Sequence, residues 1–522
     1  MTERGDTKVE LGQGFPEWTE LGQDSGLDPL GMQRPIEAIY QSLVPGISTI
    51  TLRYRYYSFF PLILRHYEEK IRHPDPTVFR SFQRKCEALF ALICTHGEPE
   101  LGITGSDWAG RKLNEVIAQS GTSGVIDFTV GADPDADEKL RYLKNKGGAF
   151  GAIYSTQMSE MGLVHFPDPG QPNPNPVCSE VALQLAEALA SELGEIADRF
   201  FEVVASGKIT VSGLGSFAPM KPSQLKPGSR EHGLLKDILL GATDARGLTA
   251  QMRRSTLRML LEFTDALDSV PRAETIKWNW FENVPAKVES QSHQVPQLWF
   301  LYQACDLMRL AYEVILSAAL TMIEATPRRR MSLSDVTDEL ADTVPTTSGE
   351  SWDVFSTAIN AAAEDSAARE YATAMLEAMD TGETSEQVRN AISLIAILTE
   401  KATAESALVE EALSGADYFQ SLRTEANFLD RNRAGDARDV IADLIRERVL
   451  KRHLWVASRK FRNQKAYTFH MEPEEGVLRY RAPIRVSPSS PRLDQALRFL
   501  RDISLIDSGG ITPIGRAELA AA

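Results

Sequence analysis

Apolar side chains recur every three or four residues along most of the chain, which is the spacing of amphipathic helices. The clearest case begins after Ser179, where the pattern predicts one helix that ends at Gly207. Its apolar positions are Leu185, Leu189, Leu193, Ile196, Phe200 and Val203. Further helices are predicted at about 77–95, 230–241, 247–268, 296–325, 351–379, 384–403 and 437–457. Because strand patterns are nearly absent from 177 to 457, we expect a mainly α fold built as a multi-helix array.

The C-terminal part of the chain has a different pattern. Residues 465–471 and 477–484 are rich in β-forming side chains and flank Glu-Pro-Glu-Glu-Gly, which predicts a hairpin. A helix that ends near Asp502, a short apolar strand and the turn at Gly509-Gly510 follow. This order resembles the end of winged-helix domains, with the glycine turn as the tip of a wing. It therefore predicts a small winged-helix-like α+β module.

Shifts in composition divide the chain into six segments. Five prolines within 166–176 predict a stiff, extended connection between domains, because proline fixes its own backbone and disfavours helix before it. The segments are a flexible N-terminal arm (1–30), an N-terminal helical domain (31–165), a Pro-rich linker (166–177), a central helical domain (178–330), an acidic helical region (331–435), and the basic helix, hairpin and winged-helix-like module (436–522).

The formal net charge of −16 is concentrated in one part of the sequence. Residues 331–430, called the acidic block below, hold twenty acidic and four basic side chains, so the rest of the chain is neutral. The longest apolar stretches, such as 314–323, reach about half the length of a membrane span, and the polar N-terminus has no secretory-signal pattern. We therefore expect a cytoplasmic protein without a membrane partner, with its four dispersed cysteines reduced and buried.

Sequence motifs for common catalytic chemistry are missing. GxxxxGK[ST], HExxH and GxSxG do not occur, and the eight histidines are dispersed, so the sequence predicts no metal or cofactor. The glycine-rich stretch 147–151 lacks the lysine of a phosphate-binding loop and predicts a turn.

The strongest binding signal is a basic run over residues 446–465. Its eight cations stand against a single acid, Glu447, and Trp455, Phe461 and Tyr467 are interleaved or follow closely. The cations are Arg446, Arg448, Lys451, Arg452, Arg459, Lys460, Arg462 and Lys465. Cations at this density neutralise phosphates and aromatic rings stack on bases, which predicts DNA, or RNA, as a partner. The alternative is a solvated helix face that pairs with the acidic block.

Arginines and aromatics also alternate within Leu-Val-Pro-Gly-Ile-Ser-Thr-Ile-Thr-Leu-Arg-Tyr-Arg-Tyr-Tyr-Ser-Phe-Phe, residues 43–60. Arg53 and Arg55 are candidate phosphate contacts at a helix start; alternatively they pair with carboxylates while the aromatics form core. The pattern Pro-Gly-x-Ser-Thr-x-x-x-Arg-x-Arg-Tyr resembles the opening of uncharacterised bacterial families encoded in anti-phage defence islands. That resemblance implies a setting beside ATPases, helicases or nucleases, and it carries no catalytic residues.

Three functional hypotheses follow from these features. The favoured one is a non-enzymatic, nucleic-acid-associated subunit of a bacterial defence system, acting with a partner ATPase, helicase or nuclease. The second is an effector nuclease with one of two candidate sites, Arg448 with His453, or Glu274 and Lys277 near Asp265 and Asp268. The third is a scaffold resembling the kleisin-type subunits of chromosome-organising complexes, which join winged helices through a helical, acidic middle.

Overall fold

The fold is mainly α-helical, as the hydrophobic spacing predicts. In the computed structural model the described residues are 28–168, 170–241, 248–284, 294–415 and 418–521. Helix accounts for 66% of the structure and strand for 6%. Of the predicted N-terminal arm, all but its last three residues lie outside the described part of the chain.

Twenty-two α-helices occur within these described ranges. They are α1 (Gln33–Leu43), α2 (Tyr56–His66), α3 (Pro76–Thr95), α4 (Ser106–Ser120), α5 (Thr129–Ala132), α6 (Ser155–Glu160), α7 (Glu180–Leu193), α8 (Glu195–Ser206), α9 (Arg230–Leu239), α10 (Leu248–Leu267), α11 (Ala273–Glu282), α12 (Gln294–Ala325), α13 (Leu333–Ala341), α14 (Trp352–Ala362), α15 (Ala367–Thr381), α16 (Thr384–Ala404), α17 (Ser406–Leu413), α18 (Leu422–Arg431), α19 (Ala437–Asp443), α20 (Lys451–Gln464), α21 (Leu493–Asp502) and α22 (Pro513–Ala521).

Short strands form four small antiparallel sheets in the same described ranges. They are β1 (Val125–Asp127), β2 (Val164–His165), β3 (Val177–Cys178), β4 (Lys208–Thr210), β5 (Arg330–Ser332), β6 (Met471–Glu474), β7 (Val477–Tyr480), β8 (Ile506–Asp507) and β9 (Gly510–Ile511). The pairs are β1 with β4, β2 with β3, and β8 with β9, and β7 lies between β5 and β6. A C-terminal hairpin is present as β6 and β7, but its first strand is shifted: β6 lies largely within the predicted turn 472–476, and residues 465–470 are not strand. The turn residues Glu475 and Gly476 both have positive φ, as a type I′ turn requires.

The chain separates into two compact units, neither of which is continuous in sequence. The first contains Val44–Pro271 and Arg492–Ala522. Its core is aromatic: every residue of α2 from Tyr56 to Leu64 is buried. Phe59 stacks on Phe90 with ring centroids 4.1 Å apart, and Tyr56 stacks on Tyr154 at 4.6 Å. Large rings bury the most apolar area per residue, so this segment anchors the first unit.

The second unit contains Gly22–Leu43 and Arg272–Pro491. It is built around α12, the helix predicted at 296–325, which is buried on nearly all sides. A helix that is apolar all round belongs in the interior of a helical array, and α1, α11, α15 and α16 pack against α12. The apolar stretch 314–323 is therefore core. No described helix combines the length and the apolar character needed to cross a membrane.

Two predicted helices are each split into a pair. The helix predicted from Ser179 to Gly207 turns at Gly194, which has a φ of 55° and ends α7 before α8 begins. Ser179 and Gly207 are confirmed as its outer caps. The helix predicted at 351–379 is interrupted between α14 and α15. After the break at Gly194 the buried face of α8 is formed by Ala197, Phe200, Phe201 and Val204, so Phe200 is the predicted apolar position of α8 that is buried.

The units differ from the predicted domains, because pairing between distant segments overrides local composition. The Pro-rich segment 166–177 does not join two units: it loops from β2 to β3, which pair within the first unit. The predicted boundaries near 330 and 435 lie inside the second unit. The predicted module 436–522 is divided at Arg492, since its hairpin joins β5 while β9 and α22 pack on α10. The cysteines are free and buried, as predicted.

Candidate nucleic-acid interface

The basic run lies on one helical column of the second unit. Helix α19 passes through a π-helical turn, Leu444–Leu450, directly into α20. The inner face of α20 buries His453, Val456 and Ala457. Trp455, Arg459 and Arg462 follow one another at steps of four and three residues, so they lie together on the opposite, outer face of the helix.

His453 fastens α20 to the interior of the unit. Its Nε2 accepts the backbone N–H of His470 at 3.0 Å, so the proton is on Nδ1, which lies 3.1 Å from the carbonyl of Pro29. Burial lowers the pKa of His453 to about 4. Both ring nitrogens are therefore engaged, and the imidazole is neutral near neutral pH.

Three of the eight cations of the basic run form ion pairs with described carboxylates. Arg446 pairs with Asp443 and Glu447, Lys451 pairs with Glu447, and Arg448 pairs with Glu425. The hydrogen bond from Lys451 holds the pKa of Glu447 below its ordinary value. Lys460 donates to the backbone carbonyl of Asp28 at 3.2 Å.

Four further cations, Arg452, Arg459, Arg462 and Lys465, form no ion pair with any described residue, although Nε of Arg452 donates to the backbone carbonyl of Leu30 at 3.4 Å. Burial and the neighbouring Arg448 lower the pKa of Arg452 to about 10, so Arg452 stays charged near neutral pH. This half of the basic run presents uncompensated positive charge.

Aromatic rings contact two of these four cations. Arg452 lies 4.6 Å from the ring centroid of Trp455, and Arg459 lies 4.5 Å from that of Phe419. Phe419 and Trp455 meet edge to face at 5.4 Å. We call the set the basic aromatic face: Phe419, Arg452, Trp455, Arg459, Phe461, Arg462, Lys465 and Tyr467.

The basic aromatic face holds all the exposed large aromatic side chains of the described residues. Phe419, Trp455, Phe461 and Tyr467 are 41% to 56% exposed, whereas the other large hydrophobic side chains with this much exposure are aliphatic. Sequence reasoning found three of these rings and missed Phe419, which lies outside the basic run. Nothing in the sequence around Phe419 marks it, because its place beside the basic run depends on a tertiary contact with Trp455 of α20.

The other predicted phosphate contacts, Arg53 and Arg55, are inside the first unit. Arg55 is 3% exposed and forms a bidentate ion pair with Glu231, with N···O distances of 3.0 and 2.8 Å. Arg53 pairs with Glu100 at 2.6 Å and with Asp502 at 3.2 Å. The structure corrects the assignment of both residues to a binding surface. The alternative interpretation fits both residues: they pair with carboxylates, and the neighbouring aromatic rings form core.

Neither candidate nuclease site is assembled among the described residues. Arg448 is bound to Glu425, and the ring nitrogens of His453 are both used. Lys277 and Glu274 form an ion pair on helix α11, without the strands that such nuclease sites use. Asp265 and Asp268 pair instead with Arg516 of the first unit.

The glycine-rich stretch 147–151 is a turn, as predicted, and its backbone donors are occupied. The amides of Ala149 and Phe150 donate to the carboxylate of Glu87 at 2.9 and 2.8 Å, and the hydroxyl of Tyr142 donates to the same carboxylate. A buried side chain thus takes the place that an anionic ligand would fill.

The acidic block contributes little charge to the basic run. In the described part of the chain, one member of the run, Arg448, pairs with a carboxylate of the block, Glu425. The block also supplies Phe419, a ring of the basic aromatic face. The acidic block therefore neutralises one cation of the run and leaves the basic aromatic face open.

Comparison of the chain with protein-family models, with curated proteins and with solved structures finds no match. Any functional conclusion therefore depends on the residues of this chain.

Proposed function

We propose that this protein binds single-stranded nucleic acid through the basic aromatic face. The observation that carries the proposal is the coincidence of two features along α20 and the segments that flank it. The exposed large aromatic side chains of the described residues lie there, together with four cations that have no carboxylate partner. Stacking rings beside free cations are what a nucleic-acid strand with unpaired bases binds.

The rings favour single strands over duplex. In a duplex the faces of the bases are stacked on one another, so exposed side chains such as Trp455 and Phe461 gain little from it. In a single strand each base offers a free face, while Arg459, Arg462 and Lys465 neutralise the backbone. DNA and RNA both satisfy this chemistry, and DNA is the first candidate.

A binding titration with fluorescently labelled oligonucleotides tests the proposal. We expect affinity for single strands to exceed that for duplex of the same length. With four cations engaged, the logarithm of the association constant should fall with that of the salt concentration with a slope of about −3. Binding to neither single strands nor duplex at low salt would overturn the proposal.

Two arginines of the same helical column provide a matched pair of variants. Arg459→Ala removes an unpaired cation that contacts Phe419 and Trp455. Arg446→Ala removes a cation whose charge Asp443 and Glu447 already neutralise. We expect the first to weaken binding by about tenfold, a loss of one charge-assisted stacking contact, and the second to change it little. Equal losses would show that net charge alone drives binding.

We further propose that this binding serves a subunit of a bacterial anti-phage defence system, working with an ATPase, helicase or nuclease. Support comes from the resemblance of residues 43–60 to defence-island families. The test is affinity purification of the tagged full-length chain from its native host. Recovery of the product of an adjacent ATPase, helicase or nuclease gene is expected. A lone chain that cleaves DNA or RNA by itself would overturn the proposed subunit role.

A further inference from the structure

The second unit contains a polar cavity of about 450 Å³ that the nucleic-acid proposal does not use. This volume suits a small organic ligand. Its walls combine a tyrosine ring, proline rings, serines and ionisable side chains. The lining includes Asp28, Tyr40, Arg309, Glu313, His470 and Arg485.

Arg309 and Glu313, which line the cavity, belong to a buried charge cluster. Arg309 donates to Asp306 at 2.8 and 3.1 Å, to Glu313 at 2.7 Å and to the carbonyl of Ser487 at 2.8 Å. Most of its donors are therefore already used. The side chain of Glu313 is 3% exposed, and its Oε2 accepts from Arg309. Its Oε1 accepts from no described residue, although Glu313 lines the cavity.

Three carboxylates of this cluster, Asp28, Asp306 and Glu313, lie around one buried guanidinium. The carboxylate of Asp28 also accepts the backbone N–H of Met32 at 2.7 Å, Lys460 and Arg452 act on it from α20, and Arg485 lines the cavity. Burial raises the pKa of Glu313 to about 7 and raises that of Asp28. Burial also lowers the pKa of His470, so this imidazole adds no compensating charge at neutral pH.

We propose that this cavity binds a small organic cation that carries N–H donors, such as a primary amine or a guanidinium. The open oxygen of Glu313 and the carboxylate of Asp28 accept from those donors, and the ring of Tyr40 forms an apolar wall on which a cation is stabilised. Arg309 is occupied by the carboxylates of Asp306 and Glu313, so Arg485 is the lining cation that an anion could reach.

Calorimetric titration of the full chain with agmatine, which carries an amine and a guanidinium, tests this site. We expect binding with release of a proton, because a cation favours the ionised form of Glu313 over its protonated form. Agmatine keeps its charges between pH 6 and 8. Since Glu313 faces Arg309, Asp28 and Asp306, and Arg485 and His470 also line the cavity, affinity should rise about tenfold over that range as Glu313 ionises.

Variants separate the site from nonspecific attraction. Glu313→Gln and Asp28→Asn each keep an oxygen acceptor but remove a charge, and each should weaken agmatine binding by about tenfold or more. A variant whose melting temperature matches that of the parent chain is folded, and one such variant is enough for the test. Glu475→Gln, on the exposed hairpin turn, should leave binding unchanged. No binding of agmatine at pH 8, equal binding by all variants, or tighter binding of inorganic phosphate would overturn the proposal.

Discussion

Two stretches of this chain mix arginines with aromatic residues, and the structure puts them to opposite uses. In the first unit, Arg55 is 3% exposed and the adjacent rings of α2 are buried. In the second unit, Trp455 is 43% exposed and Arg459 lies against it without a carboxylate partner. The same residue types therefore build a core in one unit and a surface in the other.

The difference arises from where the partners lie in the sequence. Arg55 meets Glu231, 176 residues further along the chain, and Arg53 meets Asp502, 449 residues away. The outer face of α20, by contrast, is set by local helical spacing, because His453 and Val456 occupy the inner face. In this chain, the arginine-aromatic stretch that lies at the surface is the one whose helix buries a separate inner face.

The largest effect should come from removing the buried guanidinium. Arg55→Met leaves the carboxylate of Glu231, which is fully buried, without its cation. Breaking such a pair costs about 3–5 kcal/mol of unfolding free energy, because an uncompensated charge stays in the interior. Urea denaturation measures this loss.

The surface counterpart is Arg446→Gln, which breaks ion pairs at the edge of the basic run. Exposed pairs contribute about 1 kcal/mol at most, so this variant should unfold close to the parent midpoint. If both variants lost the same stability, the contrast between the two arginine-aromatic stretches would be wrong.

Most of the helical fold could be predicted from the sequence, whereas only about half of the candidate binding residues could. Helical spacing locates α12 and the helix caps Ser179 and Gly207, because burial of a helix face is a local periodic property. The two-unit organisation was not predicted, since it depends on β2 meeting β3 and on β7 joining β5. Charge pairing across hundreds of residues is likewise invisible, which is why Arg53 and Arg55 were misassigned.

The buried side of α20 should make the stability of the protein depend on pH. The pKa of His453 falls from 6.5 to about 4 on folding, so the unfolded chain binds a proton more readily than the folded one. Stability is therefore fully present above pH 6.5 and is lost as the pH falls towards 4, by about 3 kcal/mol. The groups facing the ring are the Pro29 carbonyl, His470 and Lys460.

Urea denaturation of His453→Asn and the parent at pH 7 and pH 4.5 isolates this contribution. The variant cannot gain a proton at this position, so its stability should fall less between the two pH values. A parallel decline in both proteins would mean that His453 titrates freely, and α20 would then lack the fixed inner face on which the comparison depends.

A third change tests the exposed rings. Trp455→Ala removes the ring that contacts Arg452, Arg459 and Phe419. Loss of one stacking platform should weaken binding of single-stranded DNA by about tenfold, at about 1–3 kcal/mol per base. Unfolding should change little, since the side chain is 43% exposed. Unchanged affinity would make the basic aromatic face a purely electrostatic surface.

The smallest effect separates two lysines of one helical column. Lys465 is exposed and unpaired, and Lys451 is exposed but pairs with Glu447. Lys465→Gln removes one phosphate contact, so the salt slope of binding should become shallower by about 0.7, the value for one counterion on a single strand. Lys451→Gln removes the same charge where Glu447 already balances it, and its slope should match the parent. Anisotropy titrations across a salt series measure both. Equal slopes for the two variants would mean that every cation of the run contributes alike, and that internal ion pairing does not decide which ones bind.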